Sequence, residues 1–267
     1  MRCVYCDLDG TLLGLGGALL RDGEGEFSAL AVRALEACFR ADLEFVIYSG
    51  RREAQVREDA RLLGCSAYIF EVGAGLVIDG EREWLTGELV PDERSIHDQI
   101  EDAGAPALLL ERYAGRLEYH EPWHHDREVS HLFRGLVDVS EANALLGERG
   151  HSDLRFLDNG AIVRRMEGID GPAHAYHLVP GGASKAKGVA FHMRARGYGA
   201  EECIGVGDSL EDLDAADSVG RFFIVANGPE RDPGLRDAIG GRPNATVTEG
   251  RNGDGVYEAV VSTLAER

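Results

Sequence analysis

The sequence predicts an α/β fold in which a doubly wound, Rossmann-like parallel sheet is interrupted by an inserted α+β domain. Strand-like and helix-like segments alternate over the first 80 residues, a pattern typical of parallel strands joined by crossover helices. The alternation resumes after residue 181, behind a stretch richer in aromatic residues and histidine. Because core elements lie on both sides of this stretch, we expect a core of residues 1–82 and 181–267 and a cap of residues 83–180.

The core is expected to begin with a βαβ unit. Residues 3–8 form an apolar, strand-like run, and Glu44–Tyr48 is a second β-prone run. Ser28 is positioned to cap a helix between them. Three apolar residues at helical spacing are expected on the buried face of this helix: Val32, Leu35 and Phe39.

The same signals predict the later elements. In the core before the cap, Glu53–Leu63 is expected to be a helix that stops at Gly64, Tyr68–Phe70 a strand, and Asp79-Gly80 a hairpin turn. In the cap we expect helices at 92–104 and 140–149 and strands near 116–121, 129–137, 154–157, 161–165 and 175–179. In the core after the cap we expect a helix at Ser184–Arg196, ended by Gly197, and strands at Cys203–Val206 and Phe222–Val225, separated by another helix.

The charge of the chain limits its partners. Lysine and arginine number 28 against 47 aspartates and glutamates, a formal net charge of −19, which disfavours nucleic acid and anionic membrane surfaces as partners. No apolar run of about 18 residues is present, and the amino terminus has no signal-peptide pattern. We therefore expect a cytoplasmic protein that is a monomer or a small homo-oligomer.

The five cysteines are interpreted as reduced, packed thiols, because their number is odd and they lie in apolar segments. Cys3 and Cys6 form a C-x-x-C pattern, but residues three apart in a strand point to opposite faces. We therefore expect packing rather than redox chemistry from this pair.

Polar residues stand where the predicted core strands end or where the helix after the cap begins. They are Asp7, Asp9, Ser49, Lys185 and Asp208. Because ligands of open parallel sheets bind beyond the carboxyl ends of the strands, we expect these side chains at one edge of the sheet. Crowded carboxylates repel each other unless a cation neutralises them, and oxygen donors favour a hard ion such as Mg²⁺.

This set of groups indicates phosphoryl transfer. One aspartate can attack phosphorus to form an aspartyl-phosphate. A carboxyl two residues later lies on the same side of an extended segment and can protonate the leaving oxygen. The hydroxyl and ammonium groups would bind the transferring phosphoryl oxygens.

Four segments resemble, in order, the four motifs of the haloacid dehalogenase superfamily of phosphohydrolases. They are Asp7-Leu8-Asp9-Gly10-Thr11, Tyr48-Ser49-Gly50-Arg51, Lys185, and Gly207-Asp208-Ser209-Leu210-Glu211-Asp212. The resemblance implies a Mg²⁺-dependent phosphomonoesterase with Asp7 as nucleophile and metal ligand. It implies that Asp9 is the general acid and base and also contributes to the metal site.

The resemblance also implies roles for the other motif residues. Four of them would bind phosphate: Thr11, Ser49, Gly50 and Lys185. Lys185 would also pair with the nucleophile. Asp208 and Asp212 would complete the metal site, Asp212 through water or by orienting Lys185.

The insertion lies where the sugar-phosphatase branch of this superfamily carries its larger cap. That branch includes Cof-type phosphatases, sucrose-phosphate phosphatase and mannosyl-3-phosphoglycerate phosphatase. Glu71-Val72-Gly73-Ala74 is similar to its E-N-G-A segment, although Val72 and Glu211 replace two usual asparagines. The branch implies a small phosphorylated metabolite, such as a sugar or glycerate phosphate, as substrate. The residues expected to contact it are Arg51, His124, His125 and Arg134.

Three alternatives remain open from the sequence. A phosphomutase would use the same groups but return the phosphoryl group to a second hydroxyl. A response-regulator receiver also places an aspartate, a hydroxyl and a lysine at a sheet edge, but its acidic pair precedes the phosphoacceptor strand and it has no cap. A binding protein without catalysis would be expected to lack a motif residue, and none is missing.

Overall fold

The computed structural model describes residues 1–162 and 165–266. Within them, twelve strands follow one another in chain order: β1 (Cys3–Cys6), β2 (Glu44–Tyr48), β3 (Ala67–Phe70), β4 (Gly75–Ile78), β5 (Glu81–Trp84), β6 (Leu117–Tyr119), β7 (His131–Gly135), β8 (Leu154–Ala161), β9 (His174–Pro180), β10 (Cys203–Gly207), β11 (Arg221–Ile224) and β12 (Ala245–Val247). The same residues contain ten α-helices: α1 (Leu30–Arg40), α2 (Glu53–Leu63), α3 (Ile96–Asp102), α4 (Ala105–Arg112), α5 (Val139–Glu148), α6 (Lys185–Arg196), α7 (Leu210–Leu213), α8 (Asn227–Arg231), α9 (Gly234–Gly240) and α10 (Asn252–Ala265).

The larger sheet confirms the predicted doubly wound core. Its order is β12-β11-β10-β1-β2-β3-β4-β5, parallel from β12 to β3, with β4 and β5 added antiparallel. The hairpin between β4 and β5 turns at Asp79 and Gly80, as predicted. The strand order reverses between β1 and β10, and it is beyond the carboxyl ends of the strands at such a reversal that open α/β sheets bind ligands.

The central strand β1 is buried on both faces of this sheet. Val4 and Cys6 pack with residues of α1, α2 and α10, whereas Cys3 and Tyr5 pack on the face that α6 covers. Burial on both sides explains why the strand is a continuous apolar run rather than an alternating one. The expectation that Cys3 and Cys6 point to opposite faces is confirmed, and four of the five cysteines are buried.

The smaller sheet is antiparallel, with the order β6-β7-β9-β8. Residues of α3, α4 and α5 pack with it in one apolar cluster, so this part of the chain has the expected α+β composition. The boundaries at residues 82 and 181 stay a prediction. β5, which ends at Trp84, pairs in the larger sheet.

Three cap elements differ from those expected. The predicted helix 92–104 begins only at Ile96, because Ser95 Oγ accepts the N–H of Asp98 at 3.0 Å and so caps α3 there. α4 follows it and was not predicted. The predicted strand 154–157 and the start of the predicted strand 161–165 belong to one strand, since β8 spans Leu154–Ala161. Residues 163 and 164 lie outside the described residues.

The buried face of α1 is not the predicted one. Val32 and Phe39 are 38% and 46% exposed, and the buried residues are Ala31, Ala34, Leu35 and Cys38. A Cβ on Gly253 of α10 would lie only 2.6 Å from the Cβ of Ala31, so the two helices approach too closely for larger side chains. Ser28 does accept the N–H of the first residue of α1, at 3.2 Å.

Candidate active site

The carboxyl ends of β1, β2 and β10 carry predicted motif residues at one edge of the larger sheet. Asp7 directly follows β1, Ser49 directly follows β2, and Asp208 directly follows β10. Asp7 is central because β1 lies between the other two strands. α6 begins at Lys185 and brings an ammonium group to the same edge.

Asp7, Lys185 and Asp212 form a buried ion triad. Lys185 Nζ donates to Asp7 Oδ1 and to Asp212 Oδ1, each at 2.7 Å. The three side chains are at most 5% exposed. Lys185 is held there by the start of α6, where Ser184 Oγ accepts the N–H of Lys187 at 3.1 Å. The predicted pairing of Lys185 with Asp7 is thus present in the structure.

Asp208 is fixed beside this triad by several donors. Thr11 Oγ1 donates to its Oδ1 at 3.2 Å, and Arg231 Nη1 approaches its Oδ2 at 3.3 Å. Its own N–H donates to Asp212 Oδ2 at 3.1 Å. The motif glycine Gly10 has a φ of +92°, and a Cβ there would lie 2.3 Å from Asp208 Oδ2. The close approach of the two loops therefore requires glycine at this position.

Negative charge is in excess at this edge. Burial, and then the charges of Asp212 and Asp208, hold the pKa of Asp7 well above its usual range despite Lys185. Burial and the neighbouring Asp212 raise the pKa of Asp208 to about 7. Burial would lower the pKa of Lys185, but Asp212 and Asp7 outweigh it and raise that pKa. One ammonium group thus faces three carboxylates that repel each other.

The three carboxylates fit a hard divalent cation. One oxygen from each of Asp7, Asp208 and Asp212 lies within 4.8 Å of the others. A donor set made only of oxygens matches the preference of Mg²⁺ and similar ions. Such an ion would also relieve the repulsion that raises the pKa values of Asp7 and Asp208.

Asp9 is the accessible carboxylate of the set. Its side chain is 54% exposed, and Arg51 holds both of its oxygens, with Nε–Oδ2 and Nη2–Oδ1 distances of 2.6 Å. Arg51 is itself fixed by Asp59 of α2, at 2.9 Å. Of the residues expected to contact substrate, Arg51 is therefore placed directly on the predicted acid–base group.

The turn after β2 is one of the places where side chains of the smaller sheet approach the motif residues. Ser49 is buried, and its Oγ accepts the N–H of Arg51 at 3.1 Å. A Cβ on Gly50 would lie 2.9 Å from Asn159 Nδ2 and 3.0 Å from His177 Nε2. Side chains of β8 and β9 therefore face the Ser49–Gly50 turn.

A buried glutamate joins the cap to the core beside this turn. Glu71 accepts the N–H groups of residues 128–130 at 2.8, 3.1 and 2.6 Å, and also the hydroxyl of Ser130 at 2.8 Å. Arg127, which precedes this segment, donates from Nη1 to the carbonyl of Gly50 at 3.0 Å and to Ser130 Oγ at 2.9 Å. We call these contacts the Glu71 clamp; they fix the segment that leads into β7.

Comparison with known proteins assigns the fold. No protein-family model matches the chain. The chain is 26% identical over 265 residues to a phosphoglycolate phosphatase of Archaeoglobus fulgidus, covering 97% of this chain and 95% of the relative. The structure of a sucrose-phosphatase from Synechocystis sp. PCC6803 is similar with a TM-score of 0.67 and 15% identity over 98% of both chains. A haloacid dehalogenase-like hydrolase from Bacteroides thetaiotaomicron gives a TM-score of 0.62 and 17% identity over 98% of this chain and 99% of that one. The fold is that of the haloacid dehalogenase superfamily.

The fold expected from the resemblance of the four motifs is thereby confirmed. The names of the similar proteins agree with the expected class of enzyme, a phosphatase. None of the helices that the structure describes is both long and apolar enough to cross a membrane.

Within this haloacid dehalogenase fold, the predicted cap residues make contacts inside the cap. The rings of His124 and Tyr119 stack at 4.7 Å, and His125 Nε2 lies 3.2 Å from Glu121 Oε2. Arg134 Nε donates to Glu118 Oε1 at 2.7 Å. A role for these three residues in substrate contact stays a prediction.

Three other cap residues lie beside the Ser49–Gly50 turn and were not predicted from the sequence: Arg127, Asn159 and His177. Burial, and then the charge of Arg127, lowers the pKa of His177 well below its usual range, so its ring is neutral. Asn159 Oδ1 is buried and has no hydrogen-bond partner among the described residues. Asn159 and His177 have no sequence signal, because an asparagine before glycine and a histidine in a largely apolar strand are both common structural features.

Proposed function

We propose that the protein is a divalent-cation-dependent phosphatase that hydrolyses the monoester of a small metabolite through a phosphorylated Asp7. The observation that carries the proposal is the buried triad of Asp7, Lys185 and Asp212 beside Asp208, at the ligand-binding edge of the sheet. A carboxylate nucleophile, a phosphate-binding cation and an oxygen-only cation site are what this reaction requires. The proposed setting is the cytoplasm, with Mg²⁺ as the cation.

In the proposed reaction, a carboxylate oxygen of Asp7 attacks phosphorus, and the bond from phosphorus to the alcohol oxygen breaks. Asp9 gives a proton to the departing alcohol. Asp9 then takes a proton from water, whose oxygen attacks the phosphoryl group, releasing phosphate and the free carboxylate of Asp7. A bound Mg²⁺ would neutralise the carboxylates and the phosphoryl oxygens.

The surrounding residues prepare these two carboxylates. Lys185 orients Asp7 and keeps a positive charge where phosphoryl oxygens would lie, together with the hydroxyl of Ser49 and the backbone of Gly50. Arg51 orients Asp9 through both of its carboxylate oxygens. When substrate binds, Asp9 would release the guanidinium of Arg51 and contact the leaving oxygen instead.

The proposed substrate class is a hydroxyl-bearing phosphate ester, such as a sugar or glycerate phosphate. Asn159 and the neutral His177 face the Ser49–Gly50 turn, so they would meet the alcohol part of a bound ester. Uncharged amide and imidazole groups form hydrogen bonds to hydroxyl groups at little desolvation cost. The names of similar proteins add 2-phosphoglycolate and sucrose phosphate to the compounds worth testing.

The test is hydrolysis of p-nitrophenyl phosphate and of a panel of phosphorylated sugars, glycerates and glycolate, each with and without Mg²⁺. We expect turnover in the wild type only with the cation. Asp7→Asn is expected to lower kcat by at least about 10³-fold, because the nucleophile is lost. A matched control is Asp217→Asn, which changes an exposed aspartate that pairs with Arg242 on the surface.

Circular dichroism and thermal unfolding would verify that Asp7→Asn remains folded. Hydrolysis without a divalent cation, or a folded Asp7→Asn protein that turns over like Asp217→Asn, would contradict the proposal. Transfer of the phosphoryl group to a second hydroxyl, with no phosphate released, would indicate a phosphomutase instead.

A further inference from the structure

A second cluster of metal-binding side chains lies at the opposite end of the same strands. Cys3 begins β1, Glu44 begins β2 and Cys203 begins β10. In the strand register, Cys3 is directly paired with Cys203 on one side and with Glu44 on the other. His192 projects onto this edge from α6, which packs over the same face of the sheet as Cys3.

Three donor atoms of this cluster are close enough to share one ion. A ligand atom from each of Cys3, Glu44 and His192 lies within 4.8 Å of the others, and His192 Nε2 is 3.5 Å from Glu44 Oε1. Cys203 is the strand partner of Cys3, so the two thiols point to the same face of the sheet. Ligands of tetrahedral zinc, bound at about 2.0–2.3 Å, are roughly 3.5 Å apart. Cys3, Glu44 and His192 therefore need only small movements to coordinate an ion, whereas Cys203 would have to move closer to join them.

His192 gives independent support for an ion at this place. Its side chain is completely buried, yet Nε2 makes no hydrogen bond among the described residues and approaches Glu44 Oε1 only to 3.5 Å. Its other ring nitrogen, Nδ1, lies 2.8 Å from the hydroxyl of Tyr5, which fixes the orientation of the ring. A buried nitrogen without a partner is costly, whereas a ring held through one nitrogen with the other directed at an ion is the usual arrangement of a histidine ligand.

Glu44 is held in place by neighbours that also balance charge. Arg196 donates to Glu44 Oε1 at 2.9 and 3.1 Å, and the hydroxyl of Tyr198 donates to Oε2 at 2.8 Å. Two thiolates and one carboxylate carry three negative charges, of which a divalent ion would neutralise two. The guanidinium of Arg196 adds positive charge, which it shares between Glu44 and the exposed Asp79 at 2.6 Å. Pairing of opposite charges lowers the cost of burying such a site.

Access from solvent is provided by a surface cavity of about 500 Å³. Glu44, Arg196 and Tyr198 line it, so the carboxylate of the cluster faces this opening. A metal site needs such an entry path as well as its ligands.

We propose that Cys3, Cys203, His192 and Glu44 form a structural binding site for Zn²⁺ or a similar thiophilic divalent ion, separate from the active site. Binding would release the two thiol protons to solvent and form two metal–sulfur bonds, with no change in oxidation state. The site would tie together β1, β2, β10 and α6, whose opposite ends carry Asp7, Ser49, Asp208 and Lys185. It stands independently of the proposed reaction.

The test uses the chain of 267 residues, treated with a chelator and then titrated with Co²⁺ in the absence of Mg²⁺. Thiolate ligands give Co²⁺ a sulfur-to-metal charge-transfer absorption that oxygen ligands cannot give. We expect one Co²⁺ with this absorption per chain, displaced by one Zn²⁺, and a higher melting temperature for the Zn²⁺-bound protein. Because the active site offers only carboxylates, this signal cannot come from there.

Variants then assign the signal to its ligands. Cys3→Ala and, separately, Cys203→Ala are expected to lose the absorption and to weaken Zn²⁺ binding at least about 100-fold, since a ligand matters more than its supporting residues. Cys38→Ala is the matched control, because it removes an equally buried thiol that lies in α1. Its absorption should equal that of the wild type.

Two outcomes would overturn the proposal. One is a wild-type protein that binds Co²⁺ without any thiolate absorption, or not at all. The other is an absorption that persists in both Cys3→Ala and Cys203→Ala. If Cys3→Ala fails to fold, Cys203→Ala and a conservative His192→Gln variant provide the same comparison.

Discussion

Lys185 shows how strongly one residue can control this fold. Its ammonium group is the partner of two buried carboxylates, those of Asp7 and Asp212. Replacing one member of a buried ion group usually costs more than the group contributes, because the remaining charges are left without a partner.

We therefore expect Lys185→Met to lower the free energy of unfolding by about 3 kcal/mol in the absence of divalent ions. Lys187→Met, on the exposed side of α6, should change it by less than about 0.5 kcal/mol. Urea unfolding followed by circular dichroism measures both. Equal urea midpoints for the two variants would show that the triad does not stabilise the protein.

Asn159 provides a second prediction at the scale of single residues, and it separates recognition from chemistry. Asn159→Ala should raise KM for the best substrate of the panel about 10- to 100-fold, the loss expected for one or two hydrogen bonds. Hydrolysis of p-nitrophenyl phosphate, which has no hydroxyl groups on its alcohol part, should change little. His124→Ala serves as the comparison, and steady-state kinetics decide whether Asn159 or His124 contacts the substrate.

The position of the motif residues at one sheet edge could be predicted because each stands close behind a predicted strand or begins a predicted helix. Asp7 and Asp9 keep their two-residue spacing after β1, although the chain turns at residues 8–12 and leaves Asp7 buried and Asp9 exposed. Asn159 and His177 have no such spacing, since β8 and β9 bring them to Gly50 only through tertiary packing. Arg127 and Glu71 likewise meet through the clamp, from elements far apart in the chain.

Among the elements, α6 links helix capping to the active site. Ser184 caps the helix whose first residue is Lys185, as Ser95 caps α3 in the cap. Ser184→Ala and Ser95→Ala should each cost about 1 kcal/mol of stability. Only Ser184→Ala should also lower kcat/KM, because Lys185 then loses its fixed position. Equal kcat/KM values for the two variants would argue against this link.

The helix α1 shows where periodicity misleads. Val32, Leu35 and Phe39 do have helical spacing, but the contact with α10 requires small residues, so alanines occupy the buried face. A pattern of large apolar residues cannot predict a helix contact that requires small residues.

Val72 also departs from the usual backbone preference of its residue type. It has a φ of 59°, a region that β-branched residues disfavour. Its side chain is buried among residues of the smaller sheet and its helices. The asparagine usual in the resembling segment suits this backbone better.

At the scale of the whole molecule, buried histidines should make stability depend on pH. Burial, and then the charge of His97, lowers the pKa of His131 to about 3. The unfolded chain takes up this proton near pH 6.5, but the folded protein does not, so stability is lost as pH falls from 6.5 towards 3. Asp7 and Asp208, whose pKa values are raised, change stability in the opposite direction over part of that range.

A comparison of variants removes this opposing contribution. Between pH 6.5 and 5, the wild type should lose about 2 kcal/mol that His131→Asn does not lose. The unfolding free energy of the wild type minus that of His131→Asn should therefore fall by that amount between pH 6.5 and pH 5. Urea unfolding at both pH values measures it, with His125→Asn as an exposed control. A constant difference would mean that His131 is not held neutral by the fold.

The overall architecture was predictable because two blocks of βα alternation flank a segment of different composition. The order of the strands was not, since apolar runs do not specify their neighbours. Pairing of β1 with β10, rather than only with β2, depends on contacts between the two ends of the chain. The register of these strands also brings Cys3, Cys203 and Glu44 together, which the sequence did not indicate.

This pairing of the first strand with a late one affects how the protein is made. A ribosome releases β1 and β2 long before it has synthesised β10, so one edge of β1 stays without its neighbour while most of the chain emerges. An unpaired, fully apolar edge is a site of wrong association between nascent chains. Nascent chains therefore carry this unpaired edge until β10 has emerged, and slower translation would lengthen that exposure.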